Sequence, residues 1–486
     1  MSEAYIPWKT DPFAHQKADV EQNGLREAWG RFWEPGCGKT QPTLTEAAWL
    51  YERGEIDGVV VIAPNGVHRN WAVDQVPQHL GIEGYALHTW QSQKAKTKWH
   101  AKAFQETLNH DGLALLFMSY DAVKTDLGSE AWKKFLKQRR CLYVLDESPR
   151  IKSPSSRITK KILGSRKAAP FRRILTGTIV DDKPFDVYAQ VKFLDPDAWA
   201  KIGCRDFASF KATFGIWIDL EVGATGQRFK KLVEYRNMDL LRKVVASVGS
   251  RLRKEDVLDL PPKLYSTRYF EMAPKQRRAY NELKEGMMTF LDNGEMVTAE
   301  LMITRLLRLQ QITSGWLPTE DGTGPMRPVV DPNPRLKLLS ELIEDTDHQM
   351  IVWAKYRQDI TNIMELLHKM DVPAVRYDGT CSDDDMAYAL DEFKGGRAKV
   401  FVANPKKAGE GITLTCAKTM IYYNVDYHLS RRIQSEDRIH RIGQDVPVHI
   451  IDIAAEDSVD LSIIEALKTK QEMAAFIQGD SLGDWL

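Results

Sequence analysis

A chain of 486 residues is too long for one simple core and predicts roughly two to four domains. Its 43% hydrophobic and 28% charged residues are ordinary for a soluble globular protein. Lys+Arg and Asp+Glu both number 67, so bulk charge gives no support for nucleic-acid binding, and only local patches can supply it. The five cysteines, at 37, 141, 204, 381 and 416, show neither C-x-x-C spacing nor a His pair at metal spacing. That speaks against a zinc site or a disulfide framework and for reduced thiols in a cytoplasm. The N-terminus has no apolar signal region, and no apolar run reaches about 18 residues, so no membrane span is expected.

The first informative stretch is "EPGCGKT", Glu34 to Thr40, behind a weak strand "WGRFWE". Gly36, Cys37 and Gly38 would let backbone amides curl around phosphate oxygens. Lys39 would reach the β/γ-phosphates and Thr40 would hold Mg²⁺. Trp33 stands where the strict phosphate-loop pattern has its first glycine, so a plain glycine-rich turn before a helix remains a second reading. A helix is predicted over Thr40 to Glu52, with Gly54 placed to end it. Apolar runs at Gly58 to Pro64, Leu113 to Tyr120, Cys141 to Glu147 and Arg172 to Thr178 lack strict alternation. They read as strands covered on both faces of a parallel sheet, a doubly wound α/β pattern.

Asp146 and Glu147 close the third of these runs, at the carboxyl end of a strand, where ligands sit in such sheets. A carboxylate there can hold Mg²⁺, giving Thr40 and Asp146 as the metal pair, while Glu147 polarises an attacking water. "LTGT", Leu175 to Thr178, offers hydroxyls to couple the phosphate site to the second lobe.

From Trp199 to Arg308 the pattern is helical, aromatic and basic rather than strand-rich, with helical segments expected at 197–250 and 270–316. The break "LPPK", Leu260 to Lys263, marks the boundary between lobes 1–265 and 266–486. A turn-rich loop follows at Leu317 to Pro334. Strands are predicted at Met350 to Ala354, Ala374 to Tyr377, Val400 to Pro405, Thr419 to Asn424 and Val448 to Ala454. Helices are predicted at Asp359 to Met370 and Ser458 to Gln478. Near the end, "QSEDRIHRIGQ", Gln434 to Gln444, sets Arg438 and Arg441 three residues apart on a short helix-like run.

In this order the motifs resemble helicase superfamily 2, and within it the Swi/Snf-type DNA translocases, from about Phe13 to Leu467. "FAHQKADV" is similar to the family's adenine-binding segment, which implies Gln16 as the adenine contact. "EPGCGKT" resembles its phosphate loop, and "APNGVHRNW" (Ala63 to Trp71) the segment after its second strand. "DESPRIKS" matches its acidic box, with Ser148 and Pro149 where Ala and His are usual. "LTGTIVDDKPFDVY" is similar to the third motif, with Ile179 for the usual proline. "RLRKEDVLDLPPK" (Arg251 to Lys263) and "LRLQQITSG" (Leu307 to Gly315) resemble segments specific to the subfamily. "ANPKKAGEGITL" (Ala403 to Leu414) corresponds to the fifth motif, with Asn404 and Pro405 where Ser-Thr is usual, and "QSEDRIHRIGQ" to the sixth.

The resemblance implies two RecA-like lobes with helical protrusions, ATP and Mg²⁺ between them, and Gln434, Arg438 and Arg441 reaching the γ-phosphate as the lobes close. It assigns Gly411 to the nucleotide site. It implies DNA contacts at Lys406 and Lys407, then at His68, Asn70 and Trp71. The expected partner is duplex or branched DNA, held without sequence preference by a cytoplasmic monomer, a stand-alone form of the bacterial or bacteriophage kind. Basic runs at Lys94 to Lys98 and Arg166 to Arg173 either line a DNA groove or form solvated surface. A strand-separating or fork-remodelling helicase and an RNA-directed ATPase remain as alternatives. So does an ATPase-inactive nucleic-acid-binding module, against which Lys39, Asp146, Glu147 and Arg441 speak.

Overall fold

Parallel strand pairing organises both halves of the chain. The computed structural model describes residues 5–222, 227–292, 299–317, 326–408 and 412–478. Gly411 and residues 318–325 of the expected loop lie outside these ranges. In the first half the strands are β1 (Ala28–Trp33), β2 (Gly58–Ala63), β3 (Ala86–Thr89), β4 (Ala114–Ser119), β5 (Cys141–Asp146), β6 (Phe171–Leu175), β7 (Gly215–Val222), β8 (Gln227–Tyr235) and β9 (Gly249–Leu252). Then come β10 (Lys263–Phe270), β11 (Trp316–Leu317), β12 (Arg327–Pro328), β13 (Met350–Trp353), β14 (Ala374–Tyr377), β15 (Val400–Ala403), β16 (Thr419–Tyr422) and β17 (Val448–Ala455).

One sheet has the order β3-β4-β2-β5-β6-β1-β9, the other β10-β17-β16-β13-β15-β14. Every neighbouring pair in both is parallel. Every residue of β2, β4 and β5 is buried, which is why these strands are unbroken apolar runs. The helix after the glycine turn spans Thr40–Glu52, as its spacing predicts, and Gly54 takes the left-handed φ of +69° that ends it.

The stretch expected to be helical carries four strands as well as helices. Its helices Phe207–Phe214, Met238–Ser247, Pro274–Asp292 and Ala299–Thr313 are joined by β7, β8, β9 and β10. Strand β9 is only "GSRL" and β10 is an edge strand with most side chains outward. Neither needs an apolar run, because each is fixed by backbone pairing to one neighbour.

The chain forms two compact units: Met1–Ile216, Glu234–Asp259 and Glu472–Leu486 in the first, Trp217–Val233 and Leu260–Gln471 in the second. The sequence division placed the final segment in the second lobe. It groups instead with the first unit, where the Arg242 guanidinium lies 5.5 Å from the Phe476 ring centroid and the Gln478 amide donates to the Gly177 carbonyl at 3.3 Å.

An ion network sits at the heart of the first unit. Arg31 on β1 and Arg173 on β6 are fully buried, as is Glu46. Arg31 Nε donates to Asp19 at 2.8 Å, Arg31 Nη1 to Thr43 Oγ1 at 2.9 Å, and both arginines bond Glu46, Arg173 Nε at 3.0 Å. Asp19 also accepts from Trp29 and from Ser250 of β9, each at 3.2 Å. Two cations and two carboxylates cancel, and almost every polar atom has a partner. Glu46→Ala should cost about 3–5 kcal/mol at neutral pH, because it strands two buried guanidinium groups. Urea unfolding of the full chain measures this, with the loss confined to the transition of the first unit.

Candidate functional site

Strand β1 ends at Trp33, the glycine turn follows, and the helix begins at Thr40. Gly36 and Gly38 hold φ of +94° and +73°, which lets the turn close on itself. A Cβ on Gly38 would lie 2.4 Å from Gln16 Nε2, so only glycine admits the Gln16 side chain there. Gln16 Nε2 donates to the Gly38 carbonyl at 2.8 Å, its Oε1 accepts from the Phe13 amide at 2.8 Å, and His15 Nε2 bonds the Cys37 carbonyl at 2.9 Å. The helix Ala14–Asn23 thus grips the turn from one side. Lys39 Nζ donates back to the carbonyls of Trp33 at 2.8 Å and Glu34 at 3.3 Å.

Residues to which the sequence assigned no individual role brace the other side. Glu34 accepts from Arg251 Nη2 and from the Lys254 amide, both at 3.0 Å, and Arg251 Nη1 also reaches the Gly177 carbonyl at 3.3 Å. A Cβ on Gly177 would meet Pro35 at 2.5 Å, so "LTGT" packs flush on the turn. Its hydroxyls serve this packing: Thr176 Oγ1 donates to the Thr178 carbonyl at 2.8 Å and Thr178 Oγ1 to that of Val180 at 2.7 Å. They stabilise their own turn.

Asp146 ends β5, separated from β1 by β6 alone. Burial pushes its carboxyl above the usual range, opposed by the Trp71 indole and the Lys39 charge. Trp71 Nε1 donates to Asp146 Oδ2 at 2.9 Å and the Tyr120 hydroxyl to the Asp146 carbonyl at 2.9 Å. Glu147 turns sharply out of the strand with φ +54°, a left-handed conformation costing roughly 1–3 kcal/mol for a non-glycine residue. Its amide is fixed on the Leu175 carbonyl at 2.8 Å. Thr40 and Asp146 are oxygen donors of the kind Mg²⁺ takes, and a buried carboxylate beside a lysine suits a site for a cation and phosphate.

In the second unit the helix Leu429–Glu436 stops before either arginine. Arg438 and Arg441 lie in the turn beyond it, not on the helix-like run expected, because the Arg438 carbonyl is taken by the Leu414 amide at 2.8 Å. Arg438 Nη1 donates to the Ile412 carbonyl at 2.9 Å and Arg441 Nη1 to Thr413 Oγ1 at 2.8 Å, so both guanidinium groups rest on the fifth motif. Gln434 is half-buried on the helix. Between them Glu436 accepts from Lys263 Nζ at 2.9 Å, the Tyr265 hydroxyl at 2.8 Å and Arg432 Nε at 2.6 Å. Asn404 caps the short helix Pro405–Ala408: its Oδ1 accepts from the Lys406 amide at 2.9 Å and its Nδ2 donates to the Lys355 carbonyl at 2.7 Å.

The residues expected to touch DNA divide by burial. Lys406 is exposed, and the Lys407 side chain lies outside the described residues. Asn70 is half-buried, its amide bonded to Asp74. His68 is 4% and Trp71 2% exposed, so neither presents a side chain to DNA; both turn inward from a short helical segment whose exposed member is Arg69. Lys94, Lys96 and Lys98 are exposed, whereas Arg173 is sunk in the ion network, which removes it from any groove.

Residues 32–314 match the SNF2-related domain and residues 334–443 the helicase conserved C-terminal domain. The chain belongs to the SNF2-related family. SNF2-related membership makes it a helicase-like ATPase of superfamily 2, and its two parallel-sheet units are RecA-like lobes. It is similar to the ATP-dependent helicase brm of Drosophila melanogaster, 23% identical over 90% of this chain and 27% of that one. It is also similar to the chromatin structure-remodeling complex subunit snf21 of Schizosaccharomyces pombe, 24% identical over 90% and 36%. An uncharacterized ATP-dependent helicase of Mycoplasma genitalium is 23% identical over 82% and 37%. The chain spans about a quarter to two fifths of the length of these curated relatives. A solved structure, the Sulfolobus solfataricus SWI2/SNF2 ATPase core in complex with dsDNA, is 20% identical over 99% of this chain and 96% of that one, with a TM-score of 0.42. Among the described residues no helix is long and apolar enough to cross a membrane.

Glu436 gives the SNF2-related site a measurable pH signature. Burial would raise its carboxyl, but Lys263 and Arg432 hold it at about 2, below the ordinary 4.5. A depressed carboxylate stabilises the fold above the unfolded value and loses that contribution as pH falls toward the folded one. Glu436→Gln should therefore destabilise the second unit by about 3 kcal/mol at pH 7. In denaturant titrations of the full chain the gap from wild type should hold down to pH about 4.5 and shrink below it.

Proposed function

We propose that this chain is a DNA-dependent ATPase that hydrolyses ATP with Mg²⁺ and tracks along duplex DNA, remodelling DNA or protein–DNA complexes. One observation carries the reading. Lys39 leads from the glycine turn after β1 into the helix, and Asp146 ends β5, with only β6 between the two strands, so the lysine and the carboxylate both lie at the carboxyl edge of one parallel sheet, where such sheets take ligands. In this reading Gly36, Cys37 and Gly38 offer backbone amides to the phosphates, Lys39 binds the β/γ-phosphates, and Gln16 serves the adenine. Thr40 and Asp146 hold Mg²⁺, which when bound neutralises charge on the transferring phosphoryl group. Glu147 orients the attacking water.

The second unit supplies Gln434, Arg438 and Arg441 to the phosphates during turnover, with Gly411 beside them. Lobe motion linked to hydrolysis becomes stepping on DNA. Lys406 and Lys407, with Asn70, contact DNA phosphates, so binding is independent of sequence and sensitive to salt. The names of the Drosophila and Mycoplasma relatives, both ATP-dependent helicases, support nucleotide use; the DNA substrate is part of the proposal.

The test is the ATPase rate with no nucleic acid, single-stranded DNA, duplex DNA, forked DNA and RNA. Duplex DNA should stimulate most, and the stimulation should fall as salt rises. A rate indifferent to duplex would overturn the substrate assignment. Strand-displacement and triplex-displacement assays in parallel separate unwinding from tracking. Arg441→Ala should lower turnover by about 10³-fold or more, with the affinity for a fluorescent ATP analogue changed less than about threefold.

A further inference from the structure

Trp71 is in the core, and its polar atom is spent on the acidic motif. Its ring is 2% exposed and packs 6.5 Å, centroid to centroid, from Phe117. Its indole N–H donates to Asp146 Oδ2 at 2.9 Å across 75 residues of sequence. The indole is aimed by an unusual piece of backbone. The short helix Val67–Asn70 runs into a π-helical turn, Trp71–Gln75, in which the Val76 amide closes on the Trp71 carbonyl. Trp71 follows buried His68 by three residues and so shares its inward face, and π-helical turns recur at functional sites.

We infer that Trp71 is a positioning residue for the nucleotide site: its indole N–H fixes the plane of the Asp146 carboxylate and so its presentation to a divalent cation. The inference rests on the proposed role of Asp146 and deepens it. A carboxylate held by one oxygen presents the other in a defined direction. A freely turning one must be ordered each time the cation binds, and partners of metal ligands typically contribute about 10- to 100-fold to affinity or activity. Packing alone asks only for an aromatic ring at position 71. The orienting role asks for a ring carrying an N–H at the right place.

Two substitutions separate these demands. Trp71→Phe keeps a ring and removes the donor, whereas Trp71→His restores an N–H at the topologically equivalent ring position. The readouts on the full chain are the thermal melt, the Mg²⁺ dependence of ATP turnover, and the gain in affinity for a fluorescent ATP analogue when Mg²⁺ is added. The last needs no turnover. For Trp71→Phe the Mg²⁺-dependent gain should fall and the half-maximal Mg²⁺ concentration should rise, each about 10-fold or more, with affinity in the absence of Mg²⁺ unchanged. Trp71→His should recover most of both. Equal Mg²⁺ dependence in Trp71→Phe and wild type overturns the inference. So does an equal loss in both variants, which would assign Trp71 to packing alone. Failure of the ATPase reading is distinct: wild type itself would then show no Mg²⁺-dependent gain.

Discussion

The buried pairing of Arg31 and Arg173 with Asp19 and Glu46 is the constraint on which the candidate site depends. Asp19 belongs to the helix that carries Gln16, Arg31 to the strand that delivers the glycine turn, and Glu46 to the helix that leaves it. Arg173 lies on β6, the strand between the turn and the acidic pair, and Ser250 of β9 joins through Asp19. Apolar packing would hold these elements together but would tolerate sliding. Fixed guanidinium–carboxylate geometry in a dry interior sets their register, since each misaligned charge would lose its partner at a large desolvation cost.

The second unit solves a similar problem with different residues. Arg335 is fully buried and donates to the Tyr423 carbonyl, to Thr313 Oγ1 at 3.2 Å and to the Asp460 carboxylate. Beside it Asp359 accepts from the Trp316 indole at 2.6 Å and from Asn424, and burial pushes its carboxyl up to about 7. This hub joins the end of the Ala299–Thr313 helix to the carboxyl ends of β13 and β16, the same sheet edge from which the fifth motif leaves β15. The second unit's hub thus lies at the carboxyl end of its sheet, whereas the first unit's network runs along β1 and β6 and ties that sheet to the helices on either side of the glycine turn.

Much of this was legible in the chain itself. The Thr40–Glu52 helix and the strands Gly58–Ala63, Cys141–Asp146 and Ala374–Tyr377 follow from apolar periodicity, because a strand buried on both faces and a helix with a capping glycine leave strong local signals. Strands β7 to β10 were not legible. β7 and β8 pair only with each other, and β9 and β10 are short or at a sheet edge and are defined by partners distant in sequence. The run Gln434 to Gln444 reads as helix-like because nothing local shows that the helix ends at Glu436 and that Leu414 captures the Arg438 carbonyl.

For the site, the sequence by itself determined which chemical groups exist and in what order: a glycine turn with Lys39, an acidic pair after a strand, and two arginines far downstream. Those are matters of residue type and spacing, and spacing survives without a fold. Only the tertiary structure decided what faces what. It sank Trp71 and His68, which the resemblance offered for DNA, and Arg173 of a basic run, and turned the Trp71 indole onto Asp146. It also brought Arg251 and Lys254 back to Glu34 across more than two hundred residues. Burial and long-range hydrogen bonding depend on which elements become neighbours, and that is a property of the packed chain rather than of any stretch of it.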